Sequence, residues 1–165
     1  MILLTAFEPF GTDENNMPRN INVSKQTLLS LRREFGNAMS YLVMSVGPEC
    51  VEQFDEAVGG KEWDAIILMG EAPGDGPIRI EKYATDPADP AALRKRESAL
   101  ATETLAEKCG LALTDEIGRY FCNVIYYHAL GFTDKALFVH LPRERNHGDH
   151  KAALQKIIHA LRGLI

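Results

Sequence analysis

Apolar and polar positions fall into a repeated alternation of short strands and amphipathic helices along the chain. Ile2 to Phe7 is a nearly continuous apolar run, the pattern of a strand covered on both faces. Glu8-Pro9-Phe10-Gly11 breaks it, and the polar stretch Thr12 to Asn20, with Pro18, reads as a loop. From about Ile21, the positions Val23, Thr27, Leu28 and Leu31 recur at helical spacing up to Gly36-Asn37. Tyr41 to Val46 predicts a second strand. Pro48 then opens a helix through Val51, Phe54, Ala57 and Val58, closed by Gly59-Gly60. Asp64 to Met69 predicts a third buried strand that ends at Gly70, and Ile78 to Ala84 alternates as a strand with one polar face. Asp86 to Arg96 carries Asp-Pro twice and a basic cluster, which predicts a loop or a disordered tip.

The second half continues the alternation. A helix is expected over Ser98 to Lys108, a short strand over Leu111 to Thr114, and a helix from the turn at Gly118 to about Leu130. A strand over Lys135 to Pro142, a charged loop over Arg143 to His150 and a helix over Lys151 to Leu161 complete the chain. The order predicts one α/β domain over residues 1–165, a three-layer α/β/α sandwich around a mostly parallel sheet. In such sheets the chemistry collects at the carboxyl ends of the strands, which here carry Phe7 to Gly11, Gly70 to Gly74 and His140 to Pro142.

Composition narrows the picture. With 165 residues, 45% hydrophobic and 25% charged, the chain can bury a core without disulfide staples. A net charge of -5 argues against nucleic acid or an anionic membrane as partner, and no apolar run reaches the roughly 18–20 residues that span a bilayer. Met1 to Phe7 lacks a basic leader and is cut off by Glu8-Pro9, so it reads as a strand rather than a signal peptide. Three cysteines at scattered positions, Cys50, Cys109 and Cys122, form no disulfide framework and no metal pair; they point to a reducing cytoplasm. Cys50 and Cys109 fall on amphipathic helices as packing residues. Arg143 to His150 holds two histidines and two acids but reads as a solvated loop, so no metal and no cofactor is expected.

One stretch carries candidate chemistry. The turn at Gly118 delivers Cys122 to the first turn of an apolar helix, where unpaired N–H groups and the helix dipole favour a thiolate. A thiolate nucleophile needs a base, usually histidine, and a carboxylate to fix the imidazole tautomer. His140 at a strand end and Glu81 on the alternating strand supply those types from two other elements. Spacing alone equally allows a buried structural Cys122, a hydrogen-bonded packing role for His140, and a simple ion pair of Glu81 with Arg79 or Lys82.

Four motifs, in order, resemble those of the pyroglutamyl peptidase I family, also called pyrrolidone-carboxylate peptidase. They are Leu4 to Gly11, Gly70-Glu71-Ala72-Pro73-Gly74 with Ile78 to Glu81, Gly118 to Asn123, and Phe138 to Pro142. The resemblance implies a cysteine peptidase that removes N-terminal pyroglutamate from small peptides, with Glu81, Cys122 and His140 as its triad. It further implies that Phe7 and Phe10 hold the lactam ring and that Gly70, Glu71 and Ala72 help line the substrate and oxyanion site. The partner is then a peptide with N-terminal pyroglutamate, with a homo-oligomer as a further expectation. Core packing is the alternative for Phe7 and Phe10.

The sequence departs from the family at Ala6, where glycine is usual, and at Glu71, where an apolar or neutral amide residue is usual. A carboxylate at 71 is expected to oppose ionisation of a neighbouring thiol. The region between Glu81 and Cys122 is also shorter than in the family. These differences leave two further readings open: a divergent homologue with altered amidase or hydrolase specificity, and a binding protein on the same fold.

Overall fold

Ile2–Phe7 forms β1, and every one of its residues is buried, as the apolar run requires. In the computed structural model, which describes residues 1–89, 91 and 93–163, β1 lies beside β2 (Ser40–Met44) and β3 (Ala65–Ala72), parallel to both. β8 (Ala136–Pro142) continues the sheet, parallel to β3, with Gly70 opposite His140. β4 (Arg79–Glu81) then runs antiparallel to β8, and β7 (Ala112–Thr114) runs parallel to β4 at the edge. The strand order is β2-β1-β3-β8-β4-β7. The sheet is therefore mostly parallel, with helices on both faces.

One face carries α1 (Val23–Phe35), α3 (Thr102–Cys109) and α5 (His147–Arg162), packed on Leu4, Ala6, Ile67, Met69, Leu137 and Val139. The other carries α2 (Glu49–Val58) and α4 (Phe121–Phe132), packed on Leu3, Phe7, Ile66, Leu68 and Phe138. Successive strand residues point to opposite faces, so each strand divides cleanly between these two clusters. Cys50 and Cys109 are buried packing residues within them.

Four local expectations are corrected. The alternating segment Ile78 to Ala84 is not one strand. It breaks at Lys82, whose N–H donates to the Thr114 carbonyl, and the chain turns into β5 (Tyr83–Thr85). β5 pairs antiparallel with β6 (Lys95–Glu97) in a separate hairpin, so Asp86 to Arg96 is not all loop; Pro90 and Ala92 of that stretch lie outside the described residues. The last helix begins inside the expected charged loop, at His147, because the Asn146 side chain accepts from Gly148 N–H and caps it. The helix expected from Ser98 begins only at Thr102, after Ala101 takes a left-handed conformation.

Candidate active site

The first helical turn of α4 positions Cys122, its second residue, at the carboxyl edge of the parallel strands. The sulfur lies against the backbone of Gly70. A Cβ built on Gly70 would come within 2.8 Å of Cys122 Sγ and 2.7 Å of the Phe138 ring. Glycine is thus required at 70 by close approach. Gly70 and His140 are direct strand neighbours, so the imidazole occupies the next position across the sheet. Its ring tilts on Phe138 at 4.8 Å.

His140 Nδ1 meets Glu81 Oε1 at 2.5 Å, with both side chains buried. A carboxylate at Nδ1 selects the tautomer with hydrogen on that nitrogen and leaves Nε2 as the acceptor. Glu81 is held in turn by Arg79, whose Nε donates to the same oxygen at 3.0 Å. The hydroxyl of Tyr126 on α4 donates to the Glu81 carbonyl at 3.2 Å. Glu81 Oε2 is buried with no partner among the described residues. Burial, reinforced by the Glu81 charge, pushes the Tyr126 phenol up from its ordinary value.

The thiol departs from the expectation drawn from the helix start. Burial, and after it the charge of Glu81, pushes Cys122 up to about 12. A backbone N–H of the first turn and the Arg79 guanidinium pull the other way but do not outweigh them. The local pull of the helix start toward the anion is thus outweighed by burial and by Glu81.

The position of Glu71 corrects a second expectation. It follows Gly70 in β3, so its side chain points to the opposite face, away from the sulfur. There its carboxylate takes both Arg19 Nη groups at 2.6 and 3.0 Å, Val23 N–H at 3.0 Å and Arg143 Nε at 2.9 Å. Burial alone would raise its pKa, but the bonds from Arg19, Val23 and Arg143 prevail and lower it. Glu71 therefore fastens the loop after β1 and the start of α1 to the ends of β3 and β8. Ala72, the last residue of β3, is buried, and its carbonyl accepts from Arg143 N–H at 2.8 Å.

The two phenylalanines separate. Phe7 is buried in the cluster that also contains Phe138 and, at its margin, Cys122. Phe10 is 41% exposed on the loop beyond β1. Sequence reasoning missed Asn123. Its Oδ1 accepts from Thr85 N–H at 2.8 Å and Thr85 Oγ1 at 3.2 Å, and its Nδ2 donates to the Thr85 carbonyl at 2.9 Å. These bonds fix the β5–β6 hairpin to the turn that carries Cys122. Arg96 adds a second tie, stacking over Tyr127 at 4.0 Å and donating to its carbonyl. The signal for Asn123 was its place directly after the cysteine on a mostly apolar helix.

The chain has relatives among known proteins. A pyrrolidone-carboxylate peptidase of Thermoanaerobacter sp. (strain X514) is 27% identical over 173 residues, covering 86% of this chain and 81% of its own. That of Thermococcus kodakarensis is 26% identical over 185 residues, covering 94% and 84%. The pyrrolidone carboxyl peptidase of Pyrococcus furiosus superposes with a TM-score of 0.81 at 20% identity, covering 99% of both chains. The chain is pyroglutamyl peptidase I-like. No protein-family model matches it. The likeness to the Pyrococcus furiosus structures extends through the whole α/β sheet. Among the described residues no helix is long and apolar enough to cross a membrane.

Proposed function

We propose that this α/β domain removes N-terminal pyroglutamate from small peptides, with Cys122 as nucleophile, His140 as proton carrier and Glu81 as the group that orients it. One observation carries the reading. The Glu81–His140 hydrogen bond of 2.5 Å engages Nδ1, and His140 is the cross-strand neighbour of Gly70, against which the Cys122 sulfur rests. The names of the sequence relatives, pyrrolidone-carboxylate peptidases, supply the substrate class.

The chemistry follows from the geometry. His140 Nε2 takes the thiol proton as the sulfur attacks the pyroglutamyl carbonyl, forming a carbon–sulfur bond and an oxyanion. N–H groups of the first turn of α4 stabilise that oxyanion. Collapse breaks the amide bond, and the imidazolium returns its proton to the departing amine. Water, deprotonated by His140, then hydrolyses the thioester. The high thiol pKa means that the thiolate is formed at the moment of reaction rather than stored. Phe10, exposed on the loop beyond β1, offers an aromatic face to the flat, uncharged lactam, while Phe7 packs in the core.

The test is turnover of a chromogenic pyroglutamyl amide. Release of the chromophore that is abolished by Cys122→Ser and by iodoacetamide is the expected result. No turnover at high enzyme concentration overturns the peptidase reading. A second reading, a binding protein on the same fold, is favoured by the burial of the thiol together with the fully buried carboxylate of Glu81, which opposes its ionisation. It predicts saturable binding of a pyroglutamyl peptide with no thioester trapped on rapid acid quench.

A further inference from the structure

Arg79 sits two residues before Glu81 on β4, so both side chains project from the same face of the sheet, toward α4. Arg79 is the direct cross-strand neighbour of His140. Its Nε donates to the one Glu81 oxygen that also meets the imidazole, and its side chain remains 27% exposed. The other Glu81 oxygen is buried without a partner among the described residues. Glu81 is fully buried, so its negative charge is little screened and reaches the sulfur on α4. The groups acting on Cys122 through space are Glu81 and Cys50, which oppose its ionisation, and Arg79, which favours it.

We propose that Arg79 is a positioning residue for the Glu81–His140 couple. Its guanidinium holds the Glu81 carboxylate with Oε1 toward the imidazole and offsets the negative charge that this carboxylate places beside the sulfur. The arrangement resolves a conflict built into the site. The carboxylate that orients the base also repels the nucleophile's anion, and a cation bonded to that carboxylate reduces the second effect while preserving the first. The planar fork of arginine suits the task because it can donate to one oxygen and still leave part of its charge near solvent. The inference takes its catalytic meaning from the function proposed above, but its test does not require that function.

The measurement is the rate of Cys122 alkylation by iodoacetamide as a function of pH, read at that cysteine by peptide mass mapping. Loss of the charge in Arg79→Gln is expected to displace the rate–pH curve upward by about 0.5–1 unit, a roughly three- to tenfold slower reaction at fixed pH. Arg79→Lys, which keeps the charge but not the fork, should fall between the variant and the parent. An unchanged rate in Arg79→Gln, or equal losses in the Gln and Lys variants, overturns the proposal. Should Arg79→Gln leave an unpaired buried carboxylate and fail to fold, Glu81→Gln is compared with the double variant Arg79→Gln/Glu81→Gln. The double variant is then expected to react more slowly than Glu81→Gln, and equal rates overturn the assignment. No substrate is involved, so the role of Arg79 is decided even in a protein that fails to cleave pyroglutamyl amides.

Discussion

Glu81 and His140 stand on adjacent antiparallel strands, diagonal to one another across the ladder, and meet at 2.5 Å inside the sheet's helix-covered face. The carboxylate therefore holds the ring and, through its own charge, opposes ionisation of the Cys122 thiol. Replacing it by alanine frees the imidazole to rotate and removes the preferred tautomer. The expected outcome for Glu81→Ala is a loss of about 10²–10⁴ in kcat, measured on a pyroglutamyl amide, with KM little changed.

Gly70→Ala tests the close approach of sulfur to backbone. The new methyl would overlap the Cys122 sulfur and the Phe138 ring, so one of them must move. Displacement of the sulfur, the proposed nucleophile, by about 1 Å is expected to cost on the order of 10²-fold in kcat/KM. The same variant should alkylate at Cys122 with an altered rate, which separates a misplaced sulfur from a blocked substrate.

Glu71 links stability to acid. Its folded pKa lies below the ordinary 4.5, so the unfolded chain binds the proton more readily. The stabilisation is fully present above the unfolded value and is lost as pH falls through the lower, folded one. Equilibrium urea unfolding between pH 7 and pH 3 should show this fall in the parent and a flatter profile in Glu71→Gln. At pH 7 the variant should be less stable by about 3 kcal/mol, because Arg19 is left largely buried without its partner.

Cys122 works in the opposite direction. Its thiol is raised from 9.0 to about 12, so above pH 9 the unfolded chain loses the proton while the folded one keeps it. Stability should decline as pH rises from 9 toward 12. Cys122→Ala should weaken that decline, leaving the contributions of Cys50, which is raised to about 11, and of Tyr126, which is raised as well. Thermal unfolding followed from pH 8 to pH 11 measures both.

Asn123→Ala removes three hydrogen bonds that hold the β5–β6 hairpin to α4. The N–H and carbonyl of Thr85 lose their partners, at a cost of about 1–3 kcal/mol. Limited proteolysis should then cut the tip between residues 86 and 94 sooner than in the parent, and cutting that stays unchanged would argue against the tie.

Much of this arrangement is legible in the sequence, for identifiable reasons. Ile2 to Phe7 and Ala65 to Met69 are covered on both faces, so burial wrote them as nearly unbroken apolar runs. The break at Lys82 left no such mark. Ile80 and Ala84 keep the alternation on either side of it, and only the partners differ, β8 for Glu81 and β6 for Thr85. Glu71 misled because neighbours in a strand are far apart in function: one residue after Gly70, it serves the other face. The thiol misled for a different reason. The helix start favours the anion by a local effect visible in sequence, whereas burial and Glu81 oppose it through contacts made only in the folded chain.

β8 enters the sheet late in the chain, yet it lies between β3 and β4, which precede it by several elements. Residues 136–142 fill the seam between β3 and β4, and so stand between the strand of Gly70, where the sulfur rests, and the strand of Glu81. The strand that closes the sheet is thus the same one that carries His140 between Gly70 and Arg79, so the architecture and the candidate site are completed by the same stretch of chain.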